Sequence, residues 1–236
     1  LRSMNHFLAR EGDSNQGFLN ESDSHHASRV LRLSPGEHIS ISYSDGIVYE
    51  AEIETIAKKS LQFKVLKERR RQKSPLLQIG IAPTKSNDRF EWFIEKAVEL
   101  GVQRIIPLLC EHSERKVYKR ERGLRIMEAA FKQSHKGFMP DLSEIMELKN
   151  LDKLELPEQR YIASLNSSER ITLNEIDFKQ PQLILIGPEG DFSPQEVSWA
   201  EKQGFKHLDL GPEVLRTETA AVQIAAIAQY EARQPE

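Results

Sequence analysis

Up to about residue 67 the apolar and polar positions alternate in short runs. The runs are Ile39-Ser40-Ile41-Ser42-Tyr43, Ile47-Val48-Tyr49-Glu50-Ala51-Glu52-Ile53 and Leu61-Gln62-Phe63-Lys64-Val65. Period two predicts strands with one buried face, and Asp45-Gly46, two residues that tolerate positive φ, predicts a hairpin turn between the first two. Ser24 to Leu33 predicts one short helix, ended by Ser34-Pro35-Gly36. The expectation is a small β-barrel. Glu68 to Ser74, with Arg69, Arg70, Arg71 and Lys73, has no apolar period and precedes Pro75. It reads as a charged linker, with contact to RNA phosphate as the alternative.

After Pro75 the pattern changes to apolar runs separated by helical stretches. Strands are predicted over Leu76–Ala82, Ile105–Leu109, Tyr161–Leu165, Leu183–Ile186 and His207–Leu210. Continuous apolar strands alternating with helices predict a mostly parallel sheet. The helix over Asp88–Leu100 puts Phe90, Phe93, Ile94, Ala97 and Val98 on one stripe, and Gly101 ends it. Trp92 lies off that stripe and reads as a domain or subunit contact, or as a platform for a base. A second helix over Gly123–Ser134 stacks Leu124, Met127 and Phe131. The division expected is 4–72 for the barrel and 75–236 for the α/β domain.

Composition narrows the class only slightly. Hydrophobic residues are 39% and charged residues 29%, ordinary for a globular chain. No apolar run approaches the ~20 residues that span a bilayer, so a cytoplasmic protein is expected. Leu1, Arg2 and Ser3 precede Met4, where a natural start is expected. The one cysteine, Cys110, forms no internal disulfide and is expected in the core; no metal site is expected. The net charge is −3, with about +2 on the first 74 residues, so any RNA contact is expected to concentrate N-terminally.

The chemistry sits in two segments. Leu183 to Ile186 runs into Gly187-Pro188-Glu189-Gly190-Asp191-Phe192-Ser193, and Ser193-Pro194-Gln195-Glu196 is a capping box that starts a helix running to about Gly204. Leu210-Gly211-Pro212-Glu213-Val214-Leu215-Arg216-Thr217-Glu218-Thr219-Ala220 leads from another strand into an alanine-rich helix, Ala220 to Tyr230. Two such loops at one carboxyl sheet edge form a nucleotide-sized pocket. Neither a P-loop nor a Rossmann glycine fingerprint is present, and neither a G-x-S-x-G elbow nor an H-E-x-x-H helix.

Together these segments, Gly187-Pro188-Glu189-Gly190-x-Phe192-Ser193 and Leu210-Gly211-x-x-Val214-Leu215-Arg216-Thr217-Glu218-Thr219-Ala220, resemble the paired signature of the ribosomal RNA small-subunit methyltransferase E family. Asp88-Arg89-x-Glu91-Trp92-x-x-x-Lys96-x-x-Glu99-Leu100-Gly101-Val102, Glu128-Ala129-x-x-x-Gln133-Ser134 and His26-x-x-x-Val30-Leu31-Arg32 extend the resemblance over most of the chain. It implies an N-terminal PUA-like barrel and a C-terminal SPOUT α/β domain with a trefoil knot. It also implies a homodimer, S-adenosyl-L-methionine (SAM) as cofactor, and methylation of uridine N3 in small-subunit ribosomal RNA within the assembled 30S subunit.

Carried over by position, the cofactor residues are Leu165, Asn166, Gly187, Glu189, Gly190, Leu210, Gly211, Leu215, Arg216, Thr217 and Thr219. Arg216 is the candidate cation for the uridine anion, and Glu218 a base or the group that orients Arg216. Arg10, His26, Arg29, Arg32, Lys85 and Arg89 are the candidate RNA contacts. Asp191 stands where the family usually has glycine, Glu213 where it often has a basic residue, and His135-Lys136 where it often has arginine; both acids would repel phosphate unless they face away. The alternatives are a non-catalytic RNA-binding assembly factor and a SPOUT enzyme acting on transfer RNA.

Overall fold

The computed structural model describes residues 4–13, 15–57, 59–71, 75–165 and 170–233. The chain divides into two compact units, residues 1–73 with 128–139, and residues 74–127 with 140–236. The return of residues 128–139 to the first unit departs from the division expected at Pro75.

In the first unit six strands pair in the order β1-β4-β5-β6-β3-β2: β1 His6–Leu8, β2 Glu11–Gly12, β3 Gln16–Leu19, β4 His38–Ser42, β5 Ile47–Ile56 and β6 Leu61–Arg71. Phe7, Ile39, Ile41, Ala51, Ile53, Leu61 and Phe63 fill its core. The hairpin turn is wider than a two-residue one: positive φ falls on Ser44 (64°) and Gly46 (84°), while the Asp45 carboxylate accepts from the Ile47 amide at 2.9 Å. Strand β6 runs through most of the expected linker, because its backbone continues to pair Arg70 with Val48 and Arg71 with Ile47. Residues 72–74 lie outside the described residues. Helix α1 (Glu21–His25) starts three residues earlier than expected, capped by the Asn20 side chain accepting from the Asp23 amide, and continues as a π-helical turn over His26–Val30.

The alternation in β4 predicts a wet serine face, yet Ser40 and Ser42 are fully buried. Residues 131–139 cover them. Ser42 donates to the Gly137 carbonyl at 2.7 Å, and the Gly46 amide donates to the same oxygen at 3.0 Å. His6 is buried beside Phe131, with Nε2 donating to the Lys136 carbonyl at 2.8 Å and Nδ1 accepting from Ser40 at 2.9 Å. Burial holds its pKa down at about 4, so the ring is neutral.

The second unit is built on a parallel sheet: β7 Leu77–Ile81, β8 Arg104–Leu109, β9 Asp141–Leu142, β10 Met146–Glu147, β11 Gln159–Ala163, β12 Ile171–Thr172, β13 Gln182–Ile186 and β14 Lys206–Asp209. The order is β10-β8-β7-β13-β11-β14-β12, with β9 also on β8. Every described pair in it is parallel, as apolar strands alternating with helices require. Helices α2 (Asn87–Leu100), α3 (Arg120–Ser134), α4 (Pro194–Lys202) and α5 (Thr217–Ala232) complete the chain.

All five expected stripe residues of α2 are fully buried, and α5 packs on α2 and against β7 and β13. The capping box forms at α4, with Ser193 accepting from the Glu196 amide and Glu196 answering to the Ser193 amide. Cys110 is buried in the core. Strand β13 enters between β7 and β11, both earlier in the chain, so the loops after β11, β13 and β14 open at a switch point of the sheet. The C-terminal unit is thus an α/β domain on a mostly parallel sheet, and the N-terminal unit a small six-stranded β domain.

Candidate cofactor and acceptor site

The three loops enclose a cavity of about 300 Å³, the lower end of the range for small-molecule sites. Its floor is apolar and buried: Ile186 from β13, Leu208 from β14 and Ala220 from the first turn of α5. Leu165, Gly187, Glu189, Leu210, Gly211, Leu215, Arg216 and Thr217 all line it. Asn166 lies outside the described residues. Gly190 and Thr219 do not line it. Gly190 presents its Cα to His112, where an added Cβ would come within 3.1 Å of the His112 Cβ. Thr219 lies two residues along α5 from Thr217, roughly 200° around the helix, and so faces away from the cavity.

The loops are fixed largely by side chains bonded to backbone groups. The Thr217 hydroxyl donates to the Gly187 carbonyl at 3.0 Å, tying the start of α5 to the loop after β13. Glu189 accepts from the Lys85 amide at 3.2 Å, and Asp209 from the Gly211 amide at 3.1 Å. Asp191 sits at φ 60°, a left-handed conformation that glycine adopts freely. Its carboxylate accepts from the Leu165 amide at 3.0 Å and the Ser164 hydroxyl at 3.3 Å, so this charge is turned into the neighbouring loop. Glu213 is exposed at the cavity rim.

A second hollow adjoins the first through Arg216. It is lined by Asp88, Arg89, Trp92, Arg216, Glu218 and Thr219. Glu218 is 7% exposed and pairs with Arg89 Nε at 3.8 Å, whereas Trp92 is 44% exposed. Arg216 precedes α5 in extended conformation, and among the described residues its guanidinium has no side-chain hydrogen bond or ion pair. Glu218 thus faces Arg89 instead of orienting Arg216.

Of the other expected RNA contacts, Lys85 pairs with Glu114 at 2.8 Å. Arg10 pairs with Glu128 at 3.7 Å within the first unit. His26 and Arg29 lie in the exposed π-helical turn, followed by Arg32 at φ 55°.

Sequence reasoning missed the segment after β8. His112 sits against Gly190 and Asp191, and Arg115 donates from Nε to the Thr84 carbonyl at 3.0 Å and from Nη2 to the Lys85 carbonyl at 2.5 Å. No motif marks them, since both act on backbone atoms that any sequence supplies.

Comparison with known proteins agrees with this geometry. Residues 72–229 match the RNA methyltransferase domain family, and residues 19–66 match the RNA methyltransferase PUA domain. The class is therefore an RNA methyltransferase with a PUA domain. Ribosomal RNA small subunit methyltransferase E of Buchnera aphidicola subsp. Schizaphis graminum is 30% identical over 213 residues, covering 86% of each chain. A probable rRNA-methyltransferase from Porphyromonas gingivalis superposes with TM-score 0.84 at 35% identity, over 97% of this chain and 98% of that one. A ribosomal RNA small subunit methyltransferase E from Neisseria gonorrhoeae, bound to S-adenosyl methionine, superposes with TM-score 0.83 at 28% identity, over 96% and 97%. The chain belongs to the ribosomal RNA small-subunit methyltransferase E family.

Proposed function

We propose that this protein transfers a methyl group from S-adenosylmethionine to N3 of a uridine in small-subunit ribosomal RNA. The observation that carries the reading is the cavity over the loops after β11, β13 and β14, joined to a second hollow by one shared residue, Arg216. The first cavity fits the cofactor. Its buried apolar floor suits a flat base, and the exposed Leu165 (59%) and Val214 (79%) at its rim are apolar surface that a bound ligand would cover. Arg170 can face a carboxylate, while Glu189, Asp209 and Glu213 provide an acidic field for an ammonium and a sulfonium.

When bound, the cofactor supplies a methyl group on a positively charged sulfur that leaves as a neutral thioether. The residues of this chain have to manage the acceptor. Uridine N3 bears a proton, and its electron pair becomes available only when that proton leaves. In this reading Arg216 faces the uracil oxygens, over which the negative charge spreads. Glu218, held by Arg89, takes the N3 proton. The N3 pair then forms the new N–CH3 bond, and the C–S pair stays with sulfur.

The first unit serves as the RNA-binding domain, with Arg10, His26, Arg29 and Arg32 on phosphate and Lys85 and Arg89 near the acceptor. In this reading residues 4–72 together with 128–139 form the RNA-binding domain, and the rest of 75–236 forms the methyltransferase domain. A second copy of the chain covers α5, whose outer face carries Ala226 and the 64% exposed Tyr230 between half-buried Val222, Gln223 and Ile227. Assembled 30S subunits in the cytoplasm are the proposed substrate. Sedimentation at micromolar concentration should give a dimer; a monomer that still methylates would refute that assignment. SAM titration together with methyl transfer to unmodified small subunits tests the activity.

A further inference from the structure

One side chain of the segment after β8, His112, holds the loop after β13 without lining the cofactor cavity. The His112 Nδ1 lies 3.0 Å from the Gly190 carbonyl oxygen and 3.0 Å from that of Asp191. Both partners are acceptors, so Nδ1 carries a proton and donates to the two oxygens together. Asp191 in turn holds the Leu165 amide and the Ser164 hydroxyl through its carboxylate. Leu165, Glu189 and Asp191 all line the cavity. A single exposed imidazole therefore stands at the start of a chain of hydrogen bonds that ends in two of the three cofactor loops.

We propose that His112 is a positioning residue for the cofactor, which fixes the loop after β13 in its binding shape and makes cofactor affinity depend on pH. This rests on reading the cavity as the SAM site. The ring's charge state matters because a cationic donor binds carbonyl oxygens more strongly than a neutral one. The Asp191 and Gly190 carbonyls raise the His112 pKa above its ordinary 6.5, and Glu111 on its own segment and Glu196 on α4 push in the same direction, against a smaller loss from burial. Facing it from the cofactor loop, the Asp191 carboxylate is committed to residues 164 and 165. The sign follows. A raised folded pKa means the charge-assisted hold is complete below the ordinary value and is lost as pH rises through the raised one.

The experiment is calorimetric titration of the full chain with SAM at pH 6, 7.5 and 9, on wild-type protein, His112→Asn and His112→Leu, with thermal unfolding of each. The asparagine amide can donate from near the position of Nδ1 but does not titrate; leucine donates nothing. His112→Leu should weaken SAM binding by about tenfold at pH 6, the size of one lost charge-assisted hydrogen bond, with kcat at saturating SAM changing much less. His112→Asn should recover most of the affinity. The ratio of its Kd to that of the wild type should fall as pH rises, which cancels the titration of SAM itself.

Equal affinity for His112→Leu and wild type would overturn the proposal. So would a His112→Asn variant as weak as His112→Leu, which would mean that imidazole packing under Gly190 matters and the donated proton does not. If wild-type protein bound no SAM, the cavity assignment would fall and this inference with it. Binding by all three proteins alike would fault the inference alone.

Discussion

Arg216→Ala separates catalysis from folding and from cofactor binding, because of where Arg216 stands. Its side chain is exposed, caps nothing, and has no hydrogen bond or ion pair among the described residues. Its backbone carbonyl accepts from the Ala220 amide at 2.9 Å, a bond that alanine preserves. Truncation should therefore leave stability within about 0.5 kcal/mol of the wild type, the range for surface substitutions. Loss of one preorganised donor to a developing anion costs about 10²-fold or more in turnover, equivalent to roughly 2.7 kcal/mol. On the proposed reading most cofactor contacts fall to other residues of the cavity, so SAM affinity should fall by only a few-fold. Arg216→Lys should recover part of the rate, since a point charge does not reproduce the planar fork of a guanidinium. The assay is single-turnover methyl transfer to unmodified small subunits, with SAM affinity measured on the same preparations. Loss of SAM binding in Arg216→Ala, with normal transfer at saturating SAM, would refute the assignment.

Glu218→Gln should lower turnover by about 10²-fold and steepen its rise with pH, because the missing proton acceptor must then be replaced from solvent; an unchanged pH–rate profile would remove Glu218 from proton transfer. His6 contributes stability above its ordinary pKa of 6.5 that is lost as pH falls through about 4, because the unfolded chain takes up the proton the buried ring refuses. Wild type and His6→Gln should therefore converge in unfolding free energy across that window, by up to about 3 kcal/mol. Asp191→Ala should destabilise the chain by about 1 kcal/mol more than Asp191→Gly, because alanine is strained at φ 60° where glycine is not; denaturant unfolding of the two decides it. Residues 75–236 expressed alone should unfold or aggregate around residues 128–139, whose partners His6, Asp23 and Ser42 are then missing. A cooperative, monodisperse fragment would contradict this.

Much of the fold was legible in period and punctuation. The stripe on α2 and the capping box at Ser193 act within a few residues, and local chemistry suffices to read them. The parallel sheet followed from apolar strands alternating with helices, whereas its strand order rests on long-range pairing that no window reveals. Strands β1 to β3 are short, so their alternation gives little signal. The polar continuation of β6 is held by backbone pairing to β5, which leaves no mark in hydropathy. Ser40 and Ser42 misled for a related reason: the segment that buries them arrives about a hundred residues later. At the site, the glycines in the loops after β13 and β14 pointed to a pocket from local pattern alone, whereas Leu210 and Arg216 were carried over by position from the family resemblance. His112 and Arg115 had neither signal, and the inward turn of Asp191 became readable only with its partners in place.

The most direct test of the central claim is to map the product. Small subunits that lack base methylation, incubated with this protein and SAM, should gain a single methyl group per subunit. Mass spectrometry of nuclease fragments and nucleosides should place it on N3 of one uridine in the small-subunit ribosomal RNA, and Arg216→Ala should lose that signal. A methyl group on a ribose or on transfer RNA, or SAM binding with no transfer at all, would contradict the account.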